Sequence, residues 1–106
     1  MYLSESESID ILYLWNNVIG DNGAKYLSQN KNIYYLILAV NRIGDIGAKY
    51  LSENKNIYRL HLNANNISNI GAEYFTKTRI PHLLLGSGHD DIEKKSKQNH
   101  IKYIQD

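Results

Sequence analysis

The chain has 106 residues, no cysteine, and 12 Lys and Arg against 11 Asp and Glu, for a formal net charge of +1. A chain of this length folds as one domain and buries only about 60–65% of the surface exposed when unfolded, so a catalytic domain cannot sit beside a binding domain. The near-neutral balance gives no ground for a nucleic-acid or membrane-attracted surface, and the missing cysteines exclude a disulfide framework, a Cys-ligated zinc, an iron–sulfur cluster and a thiolate nucleophile.

In chain order, Met1-Tyr2-Leu3-Ser4-Glu5-Ser6-Glu7-Ser8 comes first, acidic and polar where a secretory signal is basic and then apolar. The longest apolar run, Tyr34 to Val40, is far short of the ~20 residues a membrane helix needs. The chain therefore reads as soluble and made in a cytoplasm, with signal-independent export to a host left open.

From residue 9 the chain repeats itself. Leu12-Tyr13-Leu14-Trp15-Asn16-Asn17-Val18-Ile19-Gly20-Asp21-Asn22-Gly23-Ala24 returns 24 residues later as Leu36-Ile37-Leu38-Ala39-Val40-Asn41-Arg42-Ile43-Gly44-Asp45-Ile46-Gly47-Ala48. It returns again as Leu60-His61-Leu62-Asn63-Ala64-Asn65-Asn66-Ile67-Ser68-Asn69-Ile70-Gly71-Ala72. Such a period changes the whole expectation of fold.

Each copy has two halves. Ile33, Leu36 and Leu38 end in the period-2 alternation of a short strand with one buried face. Asn17, Asn41 and Asn65 fall where that strand must turn, and a buried Asn can satisfy stranded backbone groups of its own and the adjacent copy. In the Ile-Gly-Asp-x-Gly-Ala stretch that follows, Asp21 or Asp45 can cap a helix start. Ala24 with Leu27, and Ala48 with Leu51, then share one helical face. A strand–turn–helix unit cannot cover its own apolar side, so copies stack, with parallel strands on a concave face and helices on a convex one.

The pattern Ile-x-x-Leu-x-Leu-x-x-Asn-x-Ile-Gly-Asp-x-Gly-Ala-x-x-Leu resembles the leucine-rich repeat over about residues 2 to 88. The helical second half and the Gly-Ala pairs are similar to the ribonuclease-inhibitor-like subclass and to bacterial variants with a Gly-Ala-Leu-Ala signature. The resemblance implies an α/β solenoid that acts as a binding scaffold without a cofactor. It also raises two finer readings, an exported bacterial host-interaction protein and a regulator of a small GTPase, although no arginine stands in a motif that supports the second.

The expected division is a half repeat at 1–8, full repeats at 9–32, 33–56 and 57–79, and a degenerate repeat with a cap at 80–106. The half repeat rests on Tyr2 to Ile9 aligning with Tyr50 to Ile57. It predicts an uncapped N-terminal edge, prone to weak self-association, or a remnant of a longer array. At the other end Gly86-Ser87-Gly88 replaces the Asn turn, and Asp90 to Ile104 reads as a charged capping helix.

Binding residues are expected among the outward strand positions, which vary while the frame stays constant. They are Ile11, Tyr13 and Trp15; Tyr35, Ile37 and Ala39; Arg59, His61 and Asn63; His82, Leu84 and Gly86. Tyr13, Trp15, Tyr35, Ile37, Arg59, His61 and His82 are the candidate contacts with a protein partner, since Tyr, Trp and Arg dominate interface energetics. Tyr26, Tyr50 and Tyr74 read as packing between helices, and Lys25, Lys31, Lys49 and Lys55 as solvated. His61, His82 and Arg59 suggest acid–base work on a phosphate only superficially, since a shallow arc lacks the enclosing pocket, and His89 and His100 belong to the cap. No metal site is expected.

Overall fold

A computed structural model describes residues 9–105; the expected half repeat at 1–8 lies outside the described residues. The element order is β1 (Asp10–Tyr13), α1 (Gly20–Ser28), β2 (Ile33–Ile37), α2 (Asp45–Ser52), β3 (Arg59–His61), α3 (Asn69–Glu73), β4 (His82–Leu84) and α4 (Asp90–Gln105). The four strands form one parallel sheet in chain order. Each parallel connection needs a crossover, which the helices supply on one side of the sheet. The slab is thin, 42 × 33 × 17 Å, with a strand face and a helix face.

Alternation along the strands places the core. Leu36, Leu38, Leu60 and Leu62 point between the layers and are fully buried, joined there by Ile43, Leu51 and Phe75. Ala24, Ala48 and Ala72 are also fully buried, one each in α1, α2 and α3. α3 has only five residues, and Phe75, just beyond it, fills the layer at the position that Leu51 fills one copy earlier. In the first copy the equivalent residues Leu12, Leu14, Ile19 and Leu27 are only partly buried.

Three ladders of polar side chains tie the copies together. In the first, Asn41 Nδ2 donates to Leu14 O at 2.7 Å while its Oδ1 accepts from Asn17 N–H at 3.0 Å. Asn65 repeats this one copy on, donating to Leu38 O at 2.9 Å and accepting from Asn41 N–H at 2.8 Å. Asn41 is fully buried, so these bonds offset the desolvation of both its own amide and the turn's backbone groups.

The second ladder differs from the expectation. Asp21 and Asp45 do not cap their own helices. Asp21 Oδ1 accepts from Gly44 N–H at 2.7 Å and Gly47 N–H at 3.0 Å, at the start of the following helix. Asp45 Oδ1 accepts from Ser68 N–H at 2.8 Å and its Oδ2 from the Ser68 hydroxyl at 2.6 Å. Each carboxylate lies within or at the start of its own helix, so the orphan N–H groups within its reach belong to the neighbour. In the third ladder Asn54 Nδ2 donates to Ser28 O and Asn30 O, both at 3.0 Å, closing the end of the preceding helix.

α4 ends the stack by imitating a further copy. Glu93 Oε2 accepts from Leu85 N–H at 2.7 Å, on the strand edge that another strand would otherwise pair. Asn99 Nδ2 donates to Thr76 O and Thr78 O at 3.0 Å, as Asn54 does to the copy before it. Ser96, fully buried, accepts from Ile80 N–H at 2.9 Å and lies 2.7 Å from the Thr78 hydroxyl. The expected C-terminal cap is thus a set of backbone substitutes as well as a polar cover.

Candidate functional site

Parallel register lines the outward side chains up across the sheet. Ile11, Tyr35, Arg59 and His82 form one row; Tyr13, Ile37, His61 and Leu84 form the next. Trp15 lies just past β1, where Leu14 N–H to Ile37 O and Asn16 N–H to Ala39 O continue the pairing. Tyr13 and Trp15 are each 59% exposed and Ile11 is 51% exposed, so the first strand offers an open apolar surface. Tyr35, Ile37, Arg59 and His61 are half-buried, and His82 is exposed.

The middle of the face is organised around rings. The Arg59 guanidinium lies 5.0 Å from the Tyr35 ring centroid, within cation–π range, and its Nε is buried with no hydrogen-bond partner among the described residues. Tyr35 stacks on Tyr34 at 5.3 Å, and Tyr34 on Tyr58 at 4.9 Å and an interplanar angle of 9°. Tyr58 then meets His82 edge-on at 5.1 Å. Burial, with Tyr58 and Tyr35 adding to it, raises the Tyr34 pKa above its ordinary value.

The electrostatics of the two histidines follow from crowding. Burial, then the positive charge of Arg59 and the neighbouring His82, lower the His61 pKa. Burial, Arg59, Lys97 and His100 lower that of His82. Both rings are therefore held toward the neutral form, able to accept and donate one hydrogen bond each.

The structure thus brings Tyr35, Arg59, His61 and His82 together, with Tyr13 beside Ile37 in the next row and Trp15 just past β1. Sequence reasoning missed Tyr34 and Tyr58. They precede the alternating positions by one residue, and the signal was present in their recurrence one copy apart. It also set His100 aside with the cap, whereas α4 brings its ring 5.9 Å from Tyr58 and close enough to His82 to lower that pKa. Among the described residues no group of three or more His, Cys, Asp or Glu side chains is arranged to hold a metal ion.

The tyrosine stripe on the helices also departs from expectation. Tyr26 is 79% exposed and Tyr74 42% exposed, so neither is packing filler. Tyr50 receives the Lys25 ammonium at 5.4 Å from its ring centroid, so the stripe joins neighbouring helices partly by cation–π contact.

A parallel sheet in chain order, an Asn at each of the first three turns and helices on one side define a solenoid of stacked strand–helix units. The Leucine Rich repeat family model matches residues 8–28, 29–52 and 53–75, more than half of the chain, and the protein belongs to that family. Such repeats generally mediate protein–protein interaction and are typically non-catalytic. Neither the curated proteins nor the solved structures contain a match to the chain. No helix among the described residues is long and apolar enough to cross a membrane.

Proposed function

We propose that the strand face binds a protein partner, with Tyr13, Trp15, Tyr35, Ile37, Arg59, His61 and His82 as contact residues. The observation that carries this reading is the Arg59–Tyr35 pair at the centre of the sheet. A guanidinium held over a ring, its Nε buried and unpartnered among the described residues, is a pre-ordered anchor that loses little further side-chain freedom on binding. Exposed Tyr13 and Trp15 extend the same face with large apolar area. The Gly-Ala pairs and helical second halves support the ribonuclease-inhibitor-like subclass, and a host protein is the partner class that bacterial relatives of this pattern suggest.

The test is quantitative affinity capture with wild type beside Trp15→Ala/Tyr35→Ala. The expected result is selective loss of one or a few partners from the double variant. An unchanged set of captured proteins contradicts the reading.

A second reading is favoured by the first copy. Leu12, Leu14, Ile19 and Leu27 are part-exposed where Leu36, Leu38, Ile43 and Leu51 are fully buried, which leaves apolar area for another unit to cover. On this reading a second copy of the chain stacks there, and mass by light scattering rises with concentration. A strictly monomeric mass at high concentration contradicts it.

A further inference from the structure

A groove of about 460 Å³ runs between the turns that lead into β3 and β4 and the last turns of α4. It lies beside the strand face and shares Tyr34, Tyr58 and His100 with its ring cluster, but none of the seven proposed contact residues lines it. Its charged lining comprises Lys55, Lys77 and Arg79, with His100 at the α4 side and no Asp or Glu. Lys55, Lys77 and Arg79 are all exposed. In a chain whose formal net charge is only +1, a pocket lined by three permanent cations and no carboxylate is a local concentration of one sign.

The walls are rings and the floor is rigid. Tyr34 and Tyr58, parallel at 4.9 Å, form one wall. The Arg79 guanidinium lies over the Tyr103 ring at 4.3 Å from its centroid, a cation–π contact that holds the cation at the groove. Asn54 is held by Ser28 O, Asn30 O and Asn56 N–H, and Thr78 by the buried Ser96 hydroxyl. The site is therefore largely pre-formed, and its volume lies within the range of about 300–1,000 Å³ typical of ligand sites.

We propose that this groove docks an acidic peptide segment of a protein partner, with its carboxylates on Lys55, Lys77 and Arg79 and an aromatic or apolar side chain against the tyrosine wall. Charge-assisted hydrogen bonds to a fixed guanidinium give orientation, and flat ring faces accept side chains at low entropic cost. A single-stranded nucleic acid fits less well, because such sites track a run of phosphates along an extended basic channel, and this groove presents three cations in about 460 Å³.

The test is a 15N–1H NMR titration of the full chain with an acetylated, amidated hexapeptide of alternating Glu and Tyr. A hexapeptide of alternating Lys and Tyr and an octamer of uridylate serve as comparisons. The Glu–Tyr peptide is expected to shift the amides of Lys55, Tyr58, Lys77 and Arg79 saturably, and those of Tyr13 and Trp15 not at all. Lys77→Glu/Arg79→Glu is expected to weaken binding about tenfold or more with melting temperature unchanged, whereas Trp15→Ala leaves it intact. Lys55→Glu, an exposed site on a different turn, serves if the double variant unfolds. The proposal is overturned by the absence of saturable shifts, by equal binding of the Lys–Tyr peptide, by undiminished binding to a folded charge-reversed variant, or by tighter binding of the uridylate. Loss of strand-face capture in Trp15→Ala/Tyr35→Ala speaks to the other site and does not bear on this result.

Discussion

The Asp21 carboxylate occupies the space that a side chain on Gly47 would need: Oδ1 accepts the Gly47 N–H at 3.0 Å and lies 2.7 Å from where a Cβ would stand. Ile43 Cγ2 is equally close to that position, and Ala24 Cβ lies 3.1 Å from it. Gly47 is in α2, and in an exposed helix interior replacing Gly by Ala stabilises by about 1 kcal/mol. Here the sign reverses. Gly47→Ala is expected to destabilise by about 1–3 kcal/mol, read from urea unfolding, because the added methyl displaces a capping carboxylate in a packed layer. Gly71→Ala behaves alike, since its Cβ would stand 2.9 Å from Asp45 Cα. A stabilised Gly47→Ala protein would contradict this view of how the copies lock.

Val40 and Ala64 stand at φ of 60°, at the repeat position that Asn16 takes in the first copy. For a β-branched residue the left-handed region is strained, while Asn tolerates it. Val40 is also 46% exposed, so little packing is lost on replacing it. Val40→Asn is expected to stabilise by about 1 kcal/mol, raising the melting temperature by roughly 4–8 °C. An unchanged or lower melting temperature would count against strain at this turn.

Asn41 holds two neighbouring turns at once. Replacing it by Ala leaves Asn17 N–H without its partner and Leu14 O with the Asn17 Nδ2 donor alone, beneath a buried position. The expected cost is about 2–4 kcal/mol, with loss of hydrogen-exchange protection in the first copy before the third. Uniform loss across the chain would show that the copies do not transmit stability through this ladder.

Acid weakens the strand face. His61 and His82 have lowered pKa values in the folded state, so the unfolded chain binds protons more readily below its own value near 6.5. Their penalty is absent well above pH 6.5, develops as pH falls from 6.5 toward the folded values, and is complete below them. Stability is therefore expected to drop as pH falls below 6.5, and His61→Asn to reduce the drop, as followed by thermal melts across pH. Asp45 acts in a separate, lower window. The Ser68 hydroxyl, then the Ser68 N–H, lower its pKa from 3.8, so its contribution is whole above that value and disappears as pH falls through the folded one.

Much of the architecture is legible in the sequence because the period imposes it. Once Leu36 and Leu38 are seen to recur as Leu60 and Leu62, the inward face, the turn Asn and the outward row follow without coordinates. The Asp ladder was harder to read. Asp21 sits where an N-cap belongs, and local grammar assigns it to its own helix, but stacking brings the next helix start within reach. The cap was legible as a charged helix, yet nothing in Glu93 or Asn99 announces that each replaces a group of an absent copy. The same holds for the groove, whose Tyr58, Arg79 and His100 come from three segments that only the return of α4 assembles.

The central claim is that the strand face, and not the helix face, meets the partner. It is tested most directly by site-specific photocrosslinking, with benzoylphenylalanine placed at Ile37 on the strand face or at Tyr26 on the helix face. The expected result is a discrete covalent adduct from position 37, competed by unlabelled wild type and abolished by Trp15→Ala. Adducts arising from position 26 alone, with none from position 37, would contradict the claim.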